Sequence, residues 1–159
     1  MAPKQKPGRS KQTYCTPIEF IHAIQRVFHV GAWAVDLAAT AENRICPVHL
    51  GPGSARGENA LLVDWGYIDG DRWMNPPFEN IEPWAKKAAL HRKVGRTFML
   101  VPASVGSNWY AEHVHGVAHV VALSPRITFV GETAGYPKDL MLLVWGAVEG
   151  GFSTWRWKP

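Results

Sequence analysis

The apolar positions near the start of the chain keep one period and then change it. Phe20, Ile21, Ile24, Val27 and Phe28 recur at helical spacing and predict a helix over residues 17–28. Thr16-Pro17-Ile18-Glu19 ahead of them has the form of a capping box with proline at the first helical position. "GAWAVDLAAT" (residues 31–40) drops that period and predicts a short buried strand ending near Asp36. Residues 44–50 are expected as a further strand, and "GPGSARGEN" (51–59) is loop.

The alternation continues downstream. "RWMNPPF" predicts a strand up to Met74, followed by a helix over residues 80–93 with Pro83 in its first turn, where the missing N–H costs little. "RTFMLVPA" is an unbroken apolar run, as expected of a central strand. Ser107 is placed to cap a helix through His115, and "AHVVALS", "RITFV" and "DLMLLVWGA" follow as three strands. The order points to an α/β fold whose sheet is mostly parallel with an antiparallel C-terminal edge. In such sheets ligands bind at the carboxyl ends of strands, where "VDLAA" and "MNPPF" should both lie.

Length and composition add a domain estimate. At 159 residues, 47% hydrophobic and 19% charged, the chain suits a single domain over residues 13–159, with no stretch long enough for a separate target-recognition domain. Residues 1–12 hold Lys4, Lys6, Arg9 and Lys11 and no acid, so the net charge of +4 belongs to this tail; the remainder balances 13 basic against 13 acidic residues. Two prolines, a glycine and little apolar content predict a disordered basic arm, either merely solvated or touching phosphates through groups such as Lys11. No apolar stretch follows the tail as in a secretory signal, and no run approaches the roughly 18 residues of a membrane span. Cys15 and Cys46 are too few for a disulfide scaffold and fit a reducing cytoplasm. Cys46-x-x-His49 and His113, His115 and His119 lack a second cysteine pair, so no metal is expected. "GPGSARG" has the look of a phosphate loop but follows no clear strand, and is read as a loop near the site. Lys86, Lys87, Arg92, Lys93 and Arg96 are read as a solvated helix face, with phosphate binding as the alternative.

The chemistry concentrates in Asn75-Pro76-Pro77-Phe78. Two prolines fix two φ angles and hold the carbonyls stiffly. The exocyclic amine of a base is a poor nucleophile because its lone pair is delocalised into the ring. The Asn75 side-chain oxygen and the Pro76 carbonyl can accept its two N–H groups and steer the nitrogen toward tetrahedral geometry. Phe78 can stack on the ring.

The tetrapeptide resembles the signature of amino-methyltransferases, and the resemblance extends along the chain. Thr16-Pro17, Val35-Asp36-Leu37-Ala38-Ala39, Asp64-Trp65, Asn75 to Phe78, Val101-Pro102-Ala103, Trp109-Tyr110 and Pro125-Arg126-Ile127-Thr128-Phe129 stand in the order found in the small phage-type DNA N6-adenine methyltransferases. The match covers roughly residues 13–146. It implies a Rossmann-like methyltransferase fold, S-adenosylmethionine as cofactor, and a DNA adenine flipped from the duplex onto Asn75, Pro76, Pro77 and Phe78. It also implies Thr16 and Pro17 near the methionine end of the cofactor, and Asp36 facing the methionine amino group or the ribose. Ala38 would stand where glycines usually let backbone approach the cofactor. Asp64 would face the cofactor's adenine amino group or merely cap a turn, and Arg126 would contact nucleic acid or support the site. A phage or prophage product acting in a bacterial cytoplasm follows by analogy.

The sequence departs from the family pattern in three places. "DLAATAEN" has no glycine, Phe78 stands where tyrosine is commoner, and Pro125 stands where glycine is favoured. Two alternatives therefore stay open: the same chemistry on cytosine N4 or a glutamine amide, or a non-catalytic nucleic-acid-binding module on the same fold.

Overall fold

The computed structural model describes residues 13–146 and 150–159; the basic tail with Lys11 lies outside them. Six strands form one sheet: β1 (Trp33–Asp36), β2 (Asp71–Met74), β3 (Thr97–Pro102), β4 (His119–Ser124), β5 (Leu140–Trp145) and β6 (Phe152–Arg156). Their spatial order is β1-β2-β3-β5-β4-β6. Neighbours pair in parallel except at β5, which runs antiparallel to both β3 and β4. The fold is α/β with a mixed, mostly parallel sheet.

The antiparallel strand is interior, which corrects the expected antiparallel edge. All six residues of β5, Leu-Met-Leu-Leu-Val-Trp, are buried, and such a strand needs partners on both sides and cover on both faces. The edge is β6, parallel to β4 and alternately exposed and half-buried. Its mixed "FSTWR" carries no core signal, and sequence reasoning missed it. "RITFV" is not a strand. Both sides of β4 are occupied, by β5 and β6, so the segment folds back as a loop, with Tyr136 N–H donating to Ile127 O and Val130 N–H to Cys15 O. Its Ile127 and Phe129 still enter the core.

Three helices cover the sheet: α1 (Ile18–Phe28), α2 (Glu82–Leu90) and α3 (Asn108–His113). Alternation along β3 divides the core. Phe98 and Leu100 meet Phe20, Ile21 and Ile24 of α1, whereas Met99 and Val101 meet Ala85 and Ala88 of α2. The layers are therefore helix, sheet, helix. No helix among the described residues is long and apolar enough to cross a membrane. The expected capping box is not formed: Pro17 is the N-cap, in extended backbone, without a side-chain cap. Residues 44–50 yield a single parallel bridge, His49 to Asp36, instead of a strand.

Beside this sheet, Arg72 of β2 is fully buried. Its Nε donates to Thr97 Oγ1 (3.0 Å), and its terminal nitrogens donate to the carbonyls of Trp65, Ile68, His91 and Gly95 at 2.9–3.4 Å. Five acceptors thus meet the five N–H donors of a guanidinium, and desolvation pulls its pKa down from the usual value. The neighbouring Asp71 is engaged elsewhere, accepting two bonds of 2.6 Å from Arg96. Arg72→Met would remove all five of these bonds, leaving, among the described residues, only Trp65 O and His91 O with other backbone donors, and should lower stability by roughly 3 kcal/mol or more. Asp71→Asn, at a partly exposed pair, should cost only about 1 kcal/mol. Denaturant midpoints at unchanged m-value check both; equal losses would contradict the role given to Arg72.

Candidate functional site

At its carboxyl end β1 has neighbours on both sides. Leu37 N–H donates to Trp73 O of β2. On the other side, Asp36 N–H donates to Val48 O, Leu50 N–H to Asp36 O, and Ala39 N–H to Leu50 O. The chain leaves β1 toward residues 48–50 and returns across it to β2, and a crevice opens where the two directions part. A cavity of about 210 Å³ occupies it. Its walls are Leu37 to Thr40 after β1, Leu50 to Pro52 after the bridge, Asn75 and Pro77 after β2, Thr13 and Tyr14 before α1, and Glu58 to Ala60 with Trp84.

Gly51 lies at φ +147°, and a Cβ there would fall 2.0 Å from the Ala39 carbonyl oxygen. The close approach is of one backbone segment to another, and only glycine fits at position 51.

Asn75 is held by the chain before α1. Its Nδ2 donates to Tyr14 O (3.0 Å) and to Thr16 Oγ1 (3.1 Å). A backbone carbonyl can only accept, so the amide nitrogen must face Tyr14 and Oδ1 turns the other way. Phe78 belongs to an aromatic cluster. The Tyr14 ring stacks on Phe129 at 4.6 Å and lies 6.0 Å from Phe78 at 29°, and Tyr136 meets Phe78 edge-on at 5.6 Å. A second cavity, of about 180 Å³, lies on the far side of Tyr14, against Phe129 and residues 132–137. Pro76 is buried, whereas Asn75, Pro77 and Phe78 are half-buried.

The remaining expected site residues divide. Ala38 lines the first cavity; Thr16 and Pro17 adjoin it through Tyr14 without lining it. Asp36 is buried beneath it, its carboxylate accepting Ala38 N–H (3.3 Å) and Ile45 N–H (3.1 Å), so it ties down the loop after β1. Burial raises its pKa to about 6, against the lowering effect of those two bonds. Asp64 lies outside this cavity. It caps the turn Trp65–Tyr67 through Gly66 N–H and meets His91 at 3.2 Å. Arg126 is exposed and paired with Asp139 at 3.1 Å. Of the basic cluster, Lys87 donates to Leu61 O and Arg96 binds Asp71, so these two are not a free phosphate face. Cys46 Sγ bonds Val48 O, and burial pushes its thiol up to about 11.

Sequence reasoning missed Tyr14, Glu58 and Trp84 as wall residues. Tyr14 had a usable signal, an aromatic two residues ahead of Thr16-Pro17; Glu58 and Trp84 had none, because loop closure alone brings them in.

The sequence profile of the family described as DNA N-6-adenine-methyltransferase (Dam) matches residues 4–145. A DNA N-6-adenine-methyltransferase of Escherichia phage T1 is 25% identical over 123 residues, 77% of this chain and 49% of that protein. The chain therefore spans about half the length of the curated relative it matches.

The Asp36 carboxyl gives the site a pH signature. Because its folded pKa of about 6 lies above the ordinary 3.8, its contribution to stability is greatest below pH 4 and falls as pH rises to 6. The full loss is up to about 3 kcal/mol, constant at higher pH. Unfolding measured at pH 4 and pH 7 should show Asp36→Asn gaining on the wild type between the two values. A pH-independent difference would contradict this account.

Proposed function

We propose that this chain, which belongs to the DNA N-6-adenine-methyltransferase (Dam) family, transfers a methyl group from S-adenosylmethionine to the exocyclic amine of adenine in DNA. The observation that carries the reading is the orientation of Asn75: both amide hydrogens are engaged by the protein, and Oδ1 is left as an acceptor beside a cavity at the strand ends. The parallel β1-β2-β3 unit, covered by helices on both faces and reversing direction at β1, supports a Rossmann-like methyltransferase sheet.

The residues present suit S-adenosylmethionine. Leu37, Ala38, Ala39 and Leu50 offer apolar wall, Trp84 a flat ring, and Thr40, Asn43, Glu58 and Asn59 polar groups for an ammonium and a ribose diol. The cavity's volume is below the roughly 300–1,000 Å³ usual for ligand pockets, so such a ligand would extend past the exposed Glu58–Asn59 rim. When bound, it supplies a methyl group on a sulfonium, a good leaving group.

The chain's own work is acceptance and placement. Asn75 Oδ1 and the Pro76 carbonyl take the two amine N–H groups, which draws the lone pair out of conjugation and aims it. The amine nitrogen, once it has taken the methyl group, would carry a positive charge that Asn75 Oδ1 and the Pro76 carbonyl stabilise until its extra proton is released to water. No base needs to act before attack. Phe78 and its aromatic neighbours provide the apolar surface that a flipped base requires. Arg126, and Lys11 in the basic tail, are the phosphate contacts of this reading.

Wild type and Asn75→Ala should be incubated with S-adenosylmethionine and unmethylated DNA, and the digested nucleosides identified by mass spectrometry. The wild type should yield N6-methyladenine. The variant should lose at least ~100-fold in turnover while its S-adenosylmethionine affinity stays within about threefold. N4-methylcytosine, or wild-type turnover by the variant, would overturn the assignment.

A further inference from the structure

We propose that Thr16 is a positioning residue that holds the Asn75 amide with its oxygen toward the substrate, rather than a contact to the methyl donor. The proposal rests on the adenine-methylation reading above. Thr16 is buried at the entry to α1, where its hydroxyl would be expected to cap the helix, yet Pro17 is the N-cap and no side-chain cap forms. The hydroxyl oxygen instead lies 3.1 Å from Asn75 Nδ2. Thr13 and Tyr14 line the cavity and Thr16 does not, so its side chain serves the asparagine and not the ligand space.

Two acceptors are needed for this task. An amide rotated by half a turn presents two donors where the amine also presents donors, and the amine is then repelled. Tyr14 O disfavours that rotation because it cannot donate to Oδ1, and Thr16 Oγ1 takes the second N–H, so that both Nδ2 hydrogens are engaged on the protein side. The same arrangement selects asparagine over aspartate at position 75. A carboxylate would set an oxygen 3.0 Å from the Tyr14 carbonyl, where no proton joins them unless the acid is protonated.

The test is steady-state methylation by full-length Thr16→Val and Thr16→Ser, with S-adenosylmethionine affinity measured separately. Thr16→Val should lose about tenfold in kcat, the effect of one hydrogen bond, with the KM for DNA and the cofactor affinity within about threefold of wild type. Thr16→Ser, which keeps the oxygen, should restore kcat. Unchanged kcat in Thr16→Val, or a loss confined to cofactor affinity, overturns the proposal. Asn75→Asp gives a second, independent arm should Thr16→Val fail to fold. Its turnover should rise relative to wild type as pH falls toward the carboxyl pKa; a parallel pH profile overturns the proposal. A wild-type enzyme that yields no N6-methyladenine refutes the underlying reading, and the proposal with it.

Discussion

The Arg72 guanidinium, fully removed from water, has to find acceptors for five N–H groups, and where it finds them fixes the loops around β2. Four of those acceptors are backbone carbonyls, from the turns at 65–68 and at 91–95. The third residue after Arg72 is Asn75, so the strand that carries the tetrapeptide is clamped just upstream of it. An unpaired buried charge is costly, and this one is matched by dipoles rather than by a carboxylate. Asp71 is thereby left to Arg96, which also reaches Phe28 O at the end of α1. The two arginines together bind the amino ends of β2 and β3 to the surrounding turns, and the carboxyl ends are left open for the cavity.

At that open end, two polar side chains are held by the backbone and by the Thr16 hydroxyl. Asp36 uses both carboxylate oxygens on backbone N–H groups of the loop after β1, and Asn75 uses both amide hydrogens on the segment before α1. Residues at the two ends of the sequence separation, Tyr14 and Asn75, meet because β2 and the chain entering α1 converge on the same aromatic cluster. The site is thus held by long-range contacts, although its motif is local.

Much of this was legible in the sequence. Periodicity located α1, β1, β2, β3, β4 and β5 because each has a buried stripe or run. "NPPF" was legible because two prolines announce a rigid backbone wherever they stand. The rest was hidden for identifiable reasons. β6 alternates at an edge without a strong apolar face, and "RITFV" carries strand-like residues into the core without a free strand edge to pair with. The Gly51 approach to Ala39 depends on which segment lies beside β1, which no local pattern encodes. Thr16-Pro17-Ile18-Glu19 reads as a cap, but a tertiary partner claimed its hydroxyl.

The interior place of β5 bears on how the protein is made. β4 pairs only with β5 and β6, both of which follow it in the chain. During synthesis on a ribosome, β1, β2 and β3 can assemble as soon as they emerge, whereas β4 must wait, its edges open, until residues 140–145 leave the exit tunnel. The last strand to enter the β3–β4 gap is therefore the wedge that joins the two halves of the sheet. Until it arrives, the nascent chain presents unpaired edges on β3 and on both sides of β4 that a chaperone would have reason to shield.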